Sequence, residues 1–238
     1  MKLIDLVVFD MAGTTVKDEN EVENCFWSAA GQTGLITTRE RIISMMGWSK
    51  RLVFETLWKE QLLDAPEKEI VDKTNLSYIA FKEILENHYR AEEVLPSEGC
   101  LEIFHYLKEL DIKIGLTTGF YREVTNIILN KLGWLHWGAG KGNILVDTTV
   151  ASDEVSFGRP YPYMVFKTME IIGAKDIRKV IKIGDTPSDL AEGKNAGCIF
   201  SFGVTNGTHT SQQLSACEND GLFKNLIEFK QFLNEYLE

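Results

Sequence analysis

Hydrophobic and polar positions alternate along this chain in two distinct regimes. Short, nearly unbroken apolar runs, Leu3 to Phe9, Ile112 to Leu116 and Val180 to Ile183, each stop abruptly at polar residues, the pattern of strands covered on both faces of a parallel sheet. Ile144 to Val146 and Ile199 to Phe202 are two further candidates. Between the runs, apolar residues recur at helical spacing: Leu101, Phe104 and Leu107, then Val124, Ile127, Ile128 and Leu132. Strands alternating with helices predict an α/β fold built on a doubly wound parallel sheet.

Residues 17–94 follow the second regime, with helical periodicity and no strand-like run. Val22, Cys25, Phe26, Ala29 and Ala30 make one helical face, which Asp18 and Glu21 suit as a capping box. Phe54, Leu57, Trp58 and Leu62 make a second, and Ile70, Tyr78, Phe81, Ile84 and Leu85 a longer third, with Pro66 suited to its first turn. The predicted organisation is an α/β core domain of residues 1–16 and 95–238, with an all-helical cap domain, residues 17–94, inserted over the C-terminal edge of the sheet. Leu226, Phe229 and Phe232 predict a docking helix between Leu222 and Leu237.

Four segments at or near strand ends carry candidate chemistry. Asp10 closes the first run ahead of a Gly13 turn, where open α/β sheets bind ligands. Thr117-Thr118-Gly119 closes the Ile112 run; a hydroxyl and turn N–H groups there suit a phosphate oxygen. Gly158-Arg159-Pro160-Tyr161-Pro162 fixes one Arg, whose planar fork donates two bonds to a phosphate at once. Gly184-Asp185-Thr186-Pro187-Ser188-Asp189 again places acids at a strand tip. If the two strands are neighbours, Asp10 and Asp185 converge, and convergent carboxylates call for a cation; oxygen ligands with room for water suit Mg²⁺.

Composition narrows the partners. The 238 residues carry a net charge of −10 with 44% hydrophobic residues, and the pI is near 5.0. That balance argues against nucleic acid and anionic membranes as partners. The four cysteines are scattered with no C-x-x-C pair, and the N-terminal apolar run, broken by Asp5, is too short for a signal peptide or membrane span; a reduced, cytoplasmic chain is expected, either monomer or homodimer. Gly138 to Gly142 resembles a phosphate loop but lacks the Ser or Thr after its Lys and reads as a surface turn. His88, on the stripe of the long helix, reads as packing.

The four motifs, in this order, resemble those of the haloacid dehalogenase superfamily over Leu3 to about Gly203, with residues 17–94 in the position of its helical cap. The resemblance implies that Asp10 is a nucleophile forming an aspartyl-phosphate and that Thr118, with Gly119, and Arg159 bind the phosphoryl group. It further implies that Asp10, the Ala12 carbonyl and Asp185 bind Mg²⁺, supported by Asp189. Most phosphatases of the superfamily carry an acid two residues after the nucleophile, where this chain has Ala12. The Asp-x-Ala-Gly-Thr pattern and Arg159 are similar to the phosphonatase branch, which cleaves a C–P bond through a cap lysine in a Met-Gly-x-x-Lys segment. Met46-Gly47-Trp48-Ser49-Lys50 matches it, implying Lys50 as Schiff-base former and Met46, Gly47 and Trp48 as pocket residues. Three branch features differ: Val53 stands for a His, Phe120 for an aromatic hydroxyl and Asn20 for a Cys. The implied substrate is a small phosphonate or phosphate ester. A general phosphatase without Schiff-base chemistry and a non-catalytic phosphometabolite sensor stay open as alternatives.

Overall fold

The computed structural model describes residues 2–134 and 145–238. Its centre is a six-stranded parallel sheet in the order β3-β2-β1-β4-β5-β6, with β1 Leu6–Phe9, β2 Lys113–Thr118, β3 Thr148–Ala151, β4 Val180–Gly184, β5 Phe200–Val204 and β6 Gly221–Phe223. In β1 every residue is buried, as a strand flanked on both sides and covered on both faces must be. Phe9 is level with Leu116 of β2 and Ile183 of β4, so the residues after these three positions emerge side by side.

Between β1 and the next strand the chain forms helices α1 Glu21–Thr33, α2 Arg39–Ile43, α3 Lys50–Gln61, α4 Glu67–Ala91 and α5 Cys100–Glu109. Phe26, Phe54 and Phe81, one each from α1, α3 and α4, meet with ring centroids 4.3–5.6 Å apart, and the Trp58 indole N–H donates to Ser77 Oγ at 2.9 Å. These aromatics give the helical insert its own core. The two linkers that join it to the sheet run side by side, Lys17 N–H donating to Leu95 O and Ser97 N–H to Thr15 O, both at 3.0 Å. At the start of α1 the Asp18 carboxylate accepts from Glu21 N–H at 2.8 Å, but Glu21 returns to Glu19 N–H, so the predicted reciprocal box is only half made.

The remaining helices are α6 Arg122–Leu132, α7 Tyr163–Ile172, α8 Pro187–Ala196, α9 Ser211–Ser215 and α10 Leu226–Leu237. Three expectations need correcting. The strand sought at Ile144 to Val146 lies at Thr148–Ala151, where threonine methyls pack as β-branched groups do; Ile144 is outside the described residues, as is the Gly138 to Gly142 segment. Residues 221–223 form an edge strand rather than the first turn of the terminal helix; that helix begins at Leu226, where the Asn225 side chain caps Ile227 and Glu228 N–H. Leu3 is 47% exposed and precedes the strand. Among the described residues no helix is long and apolar enough to cross a membrane.

Candidate active site

Asp10 follows β1 and is buried, its N–H donating to Ile183 O at 2.9 Å. Asp185 follows β4, also buried, and accepts from Thr14 Oγ1 at 3.1 Å and from Thr208 N–H at 2.7 Å. One carboxylate oxygen from each of Asp10, Asp185 and Asp189 lies within 4.8 Å of the others. Burial pushes the Asp10 carboxyl up to about 6. Asp185 is pushed up to about 7, first by burial and then by the charges of Asp10 and Asp189. A cation among these oxygens would remove that repulsion, so the donor set fits a hard divalent ion.

These shifts set a pH dependence. Both carboxyls hold their protons more tightly in the folded chain than in the unfolded one, so stability falls as pH rises from about 4 to about 7. Metal-stripped protein is therefore expected to lose on the order of 5 °C in Tm across this window, and a divalent cation to restore more of it at the alkaline end. A Tm that climbs with pH in the metal-stripped protein would contradict this account of the pair.

Asp189 differs from the other two. Thr186 and Asp189 form a reciprocal cap at the start of α8, with Thr186 Oγ1 donating to Asp189 Oδ2 at 2.6 Å, while Asp189 Oδ1 accepts from Lys182 Nζ at 2.7 Å and lies 3.1 Å from Arg159 Nη1. Burial alone would raise its carboxyl; Arg159 and Lys182 outweigh that and hold it below the usual range. It anchors the floor of the site and is less free than Asp10 or Asp185 to take a metal.

Arg159 departs most from its expected placement. It is 1% exposed, and its Nη1 donates to Asp10 Oδ1 at 2.6 Å, its Nη2 to Thr117 O and Oγ1 at 2.7 and 2.9 Å, and its Nε to Glu192 Oε2 at 2.9 Å. Here the fork that suits a phosphate is occupied by the carboxylate of Asp10 and by its own supports. Lys182 and Glu192, both fully buried beneath Asp10, were missed by sequence reasoning. The signal was present: a Lys inside the apolar run Val180 to Ile183 needs a buried anion, and Glu192 lies one turn after Asp189 on the same helix face.

The insert closes over these residues. Asp10, Ala12, Thr118 and Gly119 from the core share a cavity of about 20 Å³ with Met46, Gly47 and Lys50 from the insert, room for roughly one water. Thr118 Oγ1 accepts from Phe120 N–H at 3.1 Å. Backbones approach closely at two glycines: a Cβ on Gly119 would lie 2.5 Å from the Trp48 carbonyl oxygen, and one on Gly47, at φ +86°, would lie 2.3 Å from Ser188 Oγ. Trp48 is not in this cavity; it lines a separate cleft of about 700 Å³ with Leu52, Tyr78 and Phe157. Lys50, 5% exposed, sits over the rings of Phe26 and Phe120 at 5.6 and 5.0 Å. It makes no ion pair among the described residues, and burial pushes its ammonium down to about 8, which gives it a larger share of nucleophilic amine near neutral pH than an exposed lysine has.

A parallel sheet with an acidic strand end, a second acidic strand end beside it and a helical insert closing on both defines the class. A family model for haloacid dehalogenase-like hydrolases matches residues 7–202, and the chain belongs to that family. It is 33% identical over 215 residues to a bifunctional phosphonoacetaldehyde hydrolase/aminoethylphosphonate transaminase of Clostridioides difficile, covering 86% of this chain and 32% of that longer protein. It is 32% identical over 217 residues to a phosphonoacetaldehyde hydrolase of Bacillus cereus, covering 86% and 77% of the two chains. The crystal structure of a phosphonoacetaldehyde hydrolase like protein from Oleispira antarctica superposes with a TM-score of 0.80 at 18% identity, over 98% of this chain and 92% of that one.

Proposed function

We infer that this hydrolase cleaves the C–P bond of a small carbonyl phosphonate, phosphonoacetaldehyde or a close analogue, with Asp10 as nucleophile and Lys50 as Schiff-base former beneath a mobile helical cap. The observation that carries the reading is Lys50: a buried lysine with no ion pair among the described residues and with lowered basicity, in the same water-sized cavity as Asp10. Similarity to named phosphonoacetaldehyde hydrolases supports it.

In this reading the cap swings on its paired linkers to admit substrate, since the closed cavity has room for about one water. Neutral Lys50 condenses with the aldehyde, and with the uptake of the proton that its ammonium form had given up, water leaves and an iminium remains. An Asp10 oxygen then bonds to phosphorus while the C–P bond breaks, and the departing electron pair enters the adjacent carbon as an enamine conjugated to the former iminium nitrogen. No alkoxide leaves, so Ala12 in place of an acid is no loss. Arg159 holds Asp10 Oδ1, which presents the other oxygen for attack. Thr118 and the N–H groups of its turn orient the phosphoryl oxygens. Asp10, the Ala12 carbonyl and Asp185 would hold Mg²⁺, with Asp189 behind them; when bound, the ion neutralises charge gathering on the phosphoryl group. Protonation of the enamine and hydrolysis of the iminium return Lys50, and water returns Asp10.

Lys50→Ala is expected to lower phosphate release from phosphonoacetaldehyde by about 10³-fold or more, with a much smaller effect on a phosphate ester, and borohydride is expected to trap substrate on Lys50 of the wild type. Unaltered phosphonate turnover in Lys50→Ala would refute the Schiff base. Esters hydrolysed by a wild type inert toward carbonyl phosphonates would instead make the protein a general phosphatase, the reading that Val53, standing where the phosphonatase branch has a His, favours.

A further inference from the structure

One acidic residue in the cavity wall has no part in the steps above. Asp18 lies in the linker between β1 and α1, half-buried, and shares the 20 Å³ cavity with Asp10, Lys50 and Thr118. It also lines a second cavity of about 40 Å³ with Asn20, Glu23, Ile43 and Gly207. Among the described residues, only Asp18, Met46 and Thr208 are common to both linings, and of these Asp18 alone titrates in the ordinary range. It therefore stands between the reaction cavity and a second water-sized space. Its Oδ1 is fixed by Glu21 and Val22 N–H at 2.8 and 3.4 Å.

We propose that Asp18 is the acid–base residue of the Lys50 chemistry, in a site where Val53 stands in place of the branch's His. This rests on the phosphonatase-like reading of the site. The ionisable groups facing Asp18 are Glu21 beside it, Lys50 and Asp185 across the cavity, and Cys25 and Tyr89. Burial, then the neighbouring Glu21, pushes the Asp18 carboxyl up to about 8, and Lys50 is brought down to about 8. A proton passes between groups of matched acidity at little cost.

The steps balance without a further reactant. Ionised Asp18 takes a proton from the Lys50 ammonium. The freed lone pair forms the C–N bond as the carbonyl π pair moves to oxygen, and a proton passes from nitrogen to that oxygen. Asp18 then gives its proton to the carbinol hydroxyl; the C–O bond breaks, its electron pair leaves with water, and the nitrogen lone pair closes the C=N bond. Asp18 ends as the carboxylate it was.

Asp18→Asn keeps an acceptor for the first N–H groups of α1 and is expected to fold with an unchanged Tm. The test is the rate at which borohydride traps phosphonoacetaldehyde on Lys50, read by mass spectrometry across pH 5 to 9. Wild type is expected to form the adduct, Asp18→Asn to form it about 10²-fold or more slowly with one limb of the pH profile lost, and Asp18→Glu to recover part of the rate with that limb displaced. A normal rate and profile in Asp18→Asn, or an unmoved limb in Asp18→Glu should the Asn variant fail to fold, overturns the proposal and leaves the phosphonatase reading standing. Absence of any adduct in the wild type overturns that reading and the proposal together.

Discussion

Asp10→Asn is expected to lower phosphate release by about 10⁴-fold or more on every substrate the wild type accepts, while the variant stays folded. The amide is nearly isosteric with the carboxylate but lacks the anionic oxygen that bonds to phosphorus. The change also removes one charge from the pair that a cation must bridge, so cation-induced stabilisation is expected to shrink in the same variant. Its effect on metal-free stability is the difference of two terms: Asp10 repels Asp185 and pairs with Arg159 Nη1 at 2.6 Å. Phosphate release with time, together with melting curves at several cation concentrations, checks both parts. Turnover retained in Asp10→Asn would remove the nucleophile from the account.

The legible part of this site is the part fixed by strand ends. Asp10, Thr118 and Asp185 are each delivered by a buried apolar run, and a run that must be covered on both faces has few places to stop. Whether Asp10 met Asp185 depended on strand order, which local pattern does not encode; β1 and β4 are neighbours, and the condition is satisfied. Arg159 was legible as a cation in the site but not in its present contacts, because composition and spacing do not say which of several anions a guanidinium reaches first. β3 escaped because Thr148 and Thr149 count as polar in a hydropathy pattern yet pack by their methyl groups. Lys182 and Glu192 escaped for a different reason. A charged side chain is usually read as solvated, and only its position inside a continuous apolar strand, or on the buried face of α8, shows otherwise.

Lys182→Met is expected to cost about 3–5 kcal/mol of stability, lowering Tm by roughly 10 °C for a chain of this size. Lys182 Nζ donates to Asp189 Oδ1 at 2.7 Å and lies 3.5 Å from Glu192 Oε2, all three side chains fully buried. Without it, among the described residues Arg159 alone forms ion pairs with the carboxylates of Asp10, Asp189 and Glu192, and Glu192 Oε1 already lacks a hydrogen-bond partner there. The loss reflects uncompensated buried anions more than a missing contact, so it should couple strongly to the charge on Glu192. Glu192→Gln in the Lys182→Met background is expected to recover part of the stability, with an interaction energy of about 1–3 kcal/mol in a double-mutant cycle. Activity should follow, since an Arg159 drawn toward Asp189 and Glu192 no longer steadies Asp10. Strictly additive melting shifts in the two single variants and the double variant would show that these charges do not act as one group, and the buried floor would then have no part in positioning Asp10.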